Sequence, residues 1–257
     1  MKIISLLENT TKKGFKTEHG LSLYIEANGI KLLFDFGGSE LFYRNAQTLG
    51  VDLCSIDYAV LSHGHGDHGG GLEKFLEVNS CAKVYISPFA FEPHFNKKGE
   101  YIGLNTELQN SFRFIFVENK IEIARGITVF NCNSLLPITE INHCGHTSLK
   151  DGRTMAEDYC HEQYLLIEEG EKRVLISGCS HKGIINIMEW VKPTHLIGGF
   201  HLSSLPLGNE LLSYAKRLDE YEAEYYTCHC TGLAQFEFMK NHMKRLSYLA
   251  CGEEITI

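Results

Sequence analysis

The chain has 257 residues, enough for one large domain or two small ones, and its 44% hydrophobic and 22% charged residues are the balance of an ordinary globular protein. A net charge of −8 without any long run of Lys or Arg argues against a general nucleic-acid or anionic-membrane surface. The apolar part of "MKIISLLENTTKKGF" is too short for a signal-peptide core, and no apolar run approaches the roughly 18 residues of a membrane span, so a cytoplasmic protein without a membrane partner is expected. The nine cysteines are odd in number, irregularly spaced and free of any C-x-x-C. That pattern argues against a disulfide framework and a zinc knuckle, and fits small buried side chains in a reducing compartment.

In chain order, Met1 opens into a strand. "GLSLYIEANGIKLLFDFGG" then gives two β-rich runs, Leu21–Glu26 and Lys31–Phe36, joined by the hairpin signal Asn28-Gly29. A helix is predicted over Glu40–Leu49, a short strand over Tyr58–Ser62, a helix over Leu72–Val78 and a strand over Lys83–Ser87. A short proline-started helix follows over Pro88–Phe95. Strand-like pieces lie at Phe112–Val117, Ile121–Ile123 and Ile127–Asn131. The polar stretch "NHCGHTSLKDGRTMAEDYCHE" has no period and reads as a functional loop. A second hairpin is predicted from Gln163–Glu168 and Arg173–Ser177, with a helix at Ile184–Val191 and a strand at His195–Gly199. The chain closes with a helix at Asn209–Leu218, a strand at Tyr225–Thr227 and a helix at Leu233–Lys244. Strands followed by helices come twice, and each half ends its strands in histidines. One domain over residues 1–257, built from two similar halves, is the simplest account.

"LSHGHGDHGGG" (61–71) carries the chemistry. His63 and His65 stand two apart at a strand exit, which would point both to one side. Gly64 and Gly66 remove bulk between them, and Asp67 and His68 fall at the start of the next turn. Imidazoles with a carboxylate are the donors that zinc, iron and manganese accept. Thirteen histidines make chance neighbours possible, but four coordinating residues spaced by glycines in a segment with little to pack read as a metal site.

The spacing H-x-H-x-D-H after a short strand, preceded by "LLFDFGG" with Asp35, resembles the signature of the metallo-β-lactamase superfamily. "EHGLSLYIE", "ISGCSHKGIINI", "LIGGFHL" and "CHCTG" in this order look like its dihydropterin ribofuranosylaminobenzene-phosphate synthase-like subfamily of metal-dependent hydrolases, over most of the chain except residues 96–160. The resemblance implies an α+β fold, an αββα four-layer sandwich with two metals between the sheets. It would place His63 and His65 on one metal, and Asp67 and His68 on the other.

A catalytic metal needs at least three protein ligands and an open position. His229, at a strand exit before glycine, stands where the superfamily supplies its last histidine. In "SGCSH" the superfamily's usual bridging aspartate is replaced by Cys179, and His181 is the natural replacement ligand. Cys179 is expected as a supporting or substrate-side residue, with ligation as the alternative. His161, just before a strand, is the competing candidate. His143 and His146 are expected at the surface, and His19 and His201 in the pocket, where they suit a phosphate or carboxylate. Cys228 and Cys230 alternate with His229 and are expected to face away from the metal.

Two divalent ions about 3.5–4 Å apart, zinc first and iron or manganese as alternatives, would share a water and bring its pKa to about 7. The expected activity is therefore hydrolysis by a metal-bound hydroxide of an ester, thioester, lactone or phosphate ester of a small anionic substrate, with Asp67 orienting the hydroxide. The subfamily resemblance carries the alternative of a phosphoribosyl-type transferase. A non-catalytic metal- and ligand-binding sensor, and a redox iron protein, are further alternatives from other classes.

Overall fold

The period-two pattern of the strands sorts their side chains into two different cores. In Ser22–Ala27, Leu23 and Ile25 point one way and Tyr24 the other. In Ile30–Phe34, Leu32 and Phe34 join the first set and Leu33 the second. The second half repeats the rule: Leu165, Ile167, Val174 and Ile176 share the core of Leu23, while Tyr164, Leu166 and Leu175 face a third cluster. Strands that are apolar on both faces must be covered on both, which stacks two sheets face to face with helices outside each. The computed structural model describes residues 1–257 and has that four-layer αββα arrangement.

One sheet runs Glu254–Thr256, Lys2–Leu7, Ser22–Ala27, Ile30–Phe34, Tyr58–Val60, Lys83–Ile86, Phe114–Phe116. The other runs Leu246–Tyr248, Glu224–Thr227, His195–Gly198, Lys172–Ser177, Tyr164–Glu169, Ile127–Phe130, Lys120–Ala124. Each sheet begins as antiparallel hairpins and continues as parallel strands, from Ile30–Phe34 onward in the first and from Lys172–Ser177 onward in the second. Helices Leu41–Leu49 and Leu72–Val78 cover the first sheet through Phe42, Ala46, Leu72 and Phe75. Ile184–Val191, Asn209–Asp219 and Leu233–Lys240 cover the second. No helix is long and apolar enough to cross a membrane.

Several expectations need correcting. Pro88–Phe95 is not helical: it turns and ends in the short strand His94–Phe95. The stretch read as a loop contains a hairpin, Thr147–Lys150 with Arg153–Ala156, whose first strand pairs with His94–Phe95 into a three-stranded sheet. Short, exposed strands of this kind carry no apolar alternation; Arg153–Ala156 is exposed throughout. The helix predicted to Lys244 stops at Lys240, and the strands Leu246–Tyr248 and Glu254–Thr256, each three residues long, were too short to read.

Parallel strands in one sheet all end at the same edge, so the loops that follow them converge there. These loops begin at Asp35, Leu61, Gly178, Gly199 and Cys228, and they carry almost every residue considered next.

Candidate metal centre

Asp35, Ser180, His201 and His229 leave their strands in left-handed conformations, with φ of 61°, 62°, 54° and 49°. Non-glycine residues adopt that region only where surrounding bonds hold them, and such positions gather at functional sites. Here the bonds are visible. Asp35 is fully buried; its Oδ1 accepts the Ser62 N–H at 2.7 Å. Its Oδ2 accepts the Ser62 hydroxyl at 2.8 Å and the His68 Nδ1–H at 2.6 Å. A carboxylate on Nδ1 sets the tautomer that leaves the Nε2 lone pair of His68 free for a metal. The Ser62 oxygen, having given its proton to Asp35, accepts Nδ1–H of His63 at 2.8 Å, so the free lone pair of His63 is also on Nε2.

His229 is set in the same manner from the N-terminal strand. Its N–H donates to Glu8 at 3.1 Å, and its Nδ1 lies 2.9 Å from Asn9 Oδ1, an acceptor, which leaves Nε2 free. That Nε2 stands 3.1 Å from His68 Nε2 and 3.3 Å from Asp67 Oδ2. Cys179 Sγ lies 3.2 Å from His68 Nε2. Donor atoms about 2.0–2.3 Å from a tetrahedral ion stand about 3.3–3.8 Å from one another, so Cys179 with the two imidazoles, and Asp67 with the same imidazoles, have close to that spacing.

A second group flanks the same sulfur. His63 Nε2 and His181 Nε2 face each other at 3.3 Å, and Cys179 is within reach of both. His181 is held by its own N–H and that of Lys182 donating to the buried Glu162 at 2.6 and 3.0 Å, and by Tyr159 stacked on its ring at 4.4 Å. Cys179 therefore lies in both groups of candidate ligands.

The His65 ring lies 4.7 Å from that of His63 and 5.0 Å from that of His181, and its Nε2 also lies 3.4 Å from Glu157 Oε2, in a group with His94 and His161. The strand ends at Val60, so a two-residue period no longer governs where His63 and His65 point. The competing candidate His161 accepts the Gly64 N–H on Nδ1 at 2.7 Å, so its Nε2 carries the proton and donates it to Glu157 Oε1 at 2.6 Å. A neutral imidazole so placed has no lone pair left for the cleft.

The two groups floor a cleft of about 470 Å³, the size of a small-molecule site. His19 and His201 line it, as expected. His19 is exposed with Nε2 3.3 Å from Asp67 Oδ2, and the His201 ring lies 4.2 Å from that of His181. His143 is exposed, but His146 turns into the cleft and does not sit at the surface. Cys228 is buried between the sheets, whereas Cys230 lines the cleft, its Sγ 3.5 Å from the Cys179 carbonyl. Residues His229–Thr231 form a helical turn, so strand alternation does not apply there either.

Burial keeps most of these imidazoles neutral. It lowers His63 and His181 well below 6.5, His161 and His201 to about 3 and His229 to about 4. Burial also works against His68, but Asp67 and Asp35 beside the ring outweigh it and raise it to about 9. With the metal stripped, the unfolded chain takes up protons below about pH 6.5 at the several histidines that the fold keeps neutral, against His68, which gains from its charge. Each such site costs up to about 1.4 kcal/mol per pH unit. Chelator-treated protein should therefore unfold at clearly lower urea at pH 5 than at pH 7; equal midpoints would contradict the neutral assignment.

Residues 16–223 match the family described as the metallo-beta-lactamase superfamily. The chain belongs to the metallo-β-lactamase superfamily. It is 31% identical to the protein MJ0448 of Methanocaldococcus jannaschii over 239 residues, covering 88% of this chain and 89% of that one. It is also 31% identical over 286 residues to the 7,8-dihydropterin-6-methyl-4-(beta-D-ribofuranosyl)-aminobenzene-5'-phosphate synthase of the same organism, covering 99% of this chain and 96% of the other. Among solved structures, Tm1679, described as a metal-dependent hydrolase of the beta-lactamase superfamily, superposes with a TM-score of 0.84 at 27% identity, covering 100% of this chain and 99% of that one. The chain is thus an enzyme of the metallo-β-lactamase fold with clustered candidate metal ligands. Several residues that build those clusters escaped the sequence reading: Glu8, Asn9, His94, Glu157 and Glu162. Only Glu157 and Glu162 left a trace, as acids flanking His161 in an otherwise unpatterned stretch.

Proposed function

We propose that this enzyme is a hydrolase with two divalent cations, zinc foremost, in its cleft, acting on an ester, thioester, lactone or phosphate ester of a small anionic substrate. One observation carries the reading: Cys179 Sγ is shared by two facing pairs of imidazole nitrogens, His63 with His181 and His68 with His229, at the floor of an open cleft. The donor set of imidazoles, one carboxylate and one thiolate suits zinc. Ions held by these residues would supply Lewis-acid polarisation of the oxygen under attack and lower the pKa of water to about 7.

The chain's own residues supply the rest. Asp67 is held ionised, because His68 and the bonds from His19 and His229 overcome the effect of burial. With one quarter of its side chain exposed to the cleft, it orients the attacking water and holds a cation. His201 is neutral and offers N–H donation rather than charge, and His19 at the mouth lies within reach of an anionic group. A transferase acting on a phosphorylated sugar is the second reading, favoured by the relative named as a synthase over nearly the whole chain.

The test is a panel of phosphate monoesters and diesters, thioesters and lactones with zinc-loaded protein, alongside His181→Ala and inorganic phosphate as competitor. Turnover that His181→Ala abolishes supports the hydrolase. No turnover on any ester class, with two cations bound, would turn the assignment toward transfer chemistry.

A further inference from the structure

Asn9, just beyond the strand Lys2–Leu7, touches two histidines of the cleft through the two ends of one amide. Its orientation is fixed by a group that can only donate: the Gly20 N–H bonds Oδ1 at 3.2 Å. Oδ1 also accepts Nδ1–H of His229 at 2.9 Å, so the opposite end, Nδ2, has only protons to offer. Nδ2 lies 3.2 Å from His19 Nδ1 and 3.5 Å from the His229 carbonyl oxygen. His19 Nδ1 must then be the acceptor, which puts that ring's proton on Nε2, 3.3 Å from Asp67 Oδ2.

The imidazoles around Asp67 therefore meet one carboxylate oxygen with opposite ends. His229 and His68 turn lone pairs toward Oδ2, at 3.3 and 3.5 Å, an arrangement of acceptors that a cation between them would satisfy. His19 turns an N–H toward the same oxygen. His19, Asp67 and His229 have the spacing of a ligand group, but the lone pair of His19 is already taken by Asn9.

The chain holds this ring in place from both sides, although 68% of its side chain is exposed. Before it, Glu18 accepts the Ser39 N–H at 2.9 Å and the Ser39 hydroxyl at 2.7 Å. After it, Gly20 passes so near the Asp67 carbonyl oxygen that a Cβ would stand 2.5 Å from it, an approach that only glycine allows. The next N–H, of Leu21, donates to that carbonyl at 3.3 Å.

We infer that Asn9 is a positioning residue for two imidazoles at once: it turns the His229 lone pair into the cleft and the His19 N–H onto Asp67, so that His19 holds this carboxylate as a donor and ligates no cation. An acceptor oxygen of a substrate arriving at His19 then meets an N–H and not a lone pair. The inference rests on the proposed function in one respect, that a cation sits against His68, His229 and Asp67, and it does not depend on the reaction.

Proton–nitrogen correlation spectra of isotope-labelled protein, with and without zinc, read which ring nitrogens carry protons, and chelator competition reads zinc affinity. In wild type His19 should show a bare Nδ1 and a protonated Nε2, and zinc should leave both unchanged. Asn9→Asp keeps the acceptor for His229 and Gly20 but cannot donate, so His19 Nδ1 should gain a proton while zinc binding is retained. His19→Ala should weaken the less tightly held zinc by about 10-fold, the lower end of the effect of a group that braces a ligand. His19→Gln, whose side-chain N–H can still donate, should restore most of it. A protonated Nδ1 in wild type would overturn the role of Asn9. Loss of the Nε2 proton on zinc loading, or a His19→Gln as weak as His19→Ala, would make His19 a ligand and overturn the inference, as would unchanged zinc affinity in His19→Ala. Wild-type protein that binds no zinc would count against the proposed function instead, and the spectrum without zinc would still decide the direction of the His19 bond.

Discussion

Cys179→Ala is expected to strip the cleft of both cations and to lower kcat/KM by more than 100-fold. Loss of a residue that merely braces a ligand costs about 10–100-fold in metal affinity or activity, and Cys179 is shared by two groups of candidate ligands at once. Burial and the neighbouring thiol of Cys230 hold the Cys179 thiol well above its usual range. Its proton is therefore lost only when a cation displaces it, and cation uptake should release it to solvent. Cys179→Asp gives the control. A carboxylate has two oxygens with which to bridge, so it should restore two cations and much of the rate, with preference shifted toward harder ions such as manganese. Equilibrium dialysis with elemental analysis, together with initial rates, reads both outcomes. Full retention of two tightly held cations in Cys179→Ala would remove the sulfur from the centre and leave each site to its histidines alone.

Asp35→Ala is the second large effect, and it falls on stability before activity. The carboxylate is completely buried and receives three bonds, from the Ser62 N–H, the Ser62 hydroxyl and His68 Nδ1. Removing one partner of a buried charged pair costs about 3–5 kcal/mol. At about 2–4 °C per kcal/mol for a chain near this size, that lowers Tm by about 6–20 °C. Asp35→Asn keeps an acceptor for one of the three donors and should lose less. Scanning calorimetry on the zinc-loaded protein decides it; a shift below about 2 °C would mean that Asp35 only orients His68 and does not hold the loop.

These effects rest on residues of unequal visibility in the sequence. The cluster His63, His65, Asp67, His68 stood out because coordinating side chains separated by glycines have no packing explanation. His181 and His229 followed from the resemblance, which places ligands in "SGCSH" and "CHCTG" at strand exits. Asn9 and Glu8 gave no such signal, because a residue that orients a ligand is chosen by where the fold brings it. Asn9 and His229 are 220 positions apart. His94 was assigned to a helix, since nothing local reveals a two-residue strand that exists only by pairing with Thr147 and Ser148.

Local chemistry therefore sufficed for most strands and helices and for the cluster of candidate metal ligands, while the four layers were implied by the resemblance to the superfamily. Which nitrogen of each ring is free, and which rings stand together, was decided only by the packed molecule. His65 shows why. Its ring stands 4.7 Å from that of His63, but the strand has already ended at Val60, and its Nε2 also meets a carboxylate 92 residues away that nothing local announces. Strand alternation is a property of extended backbone, and it lapses where the chain leaves the sheet to build a site.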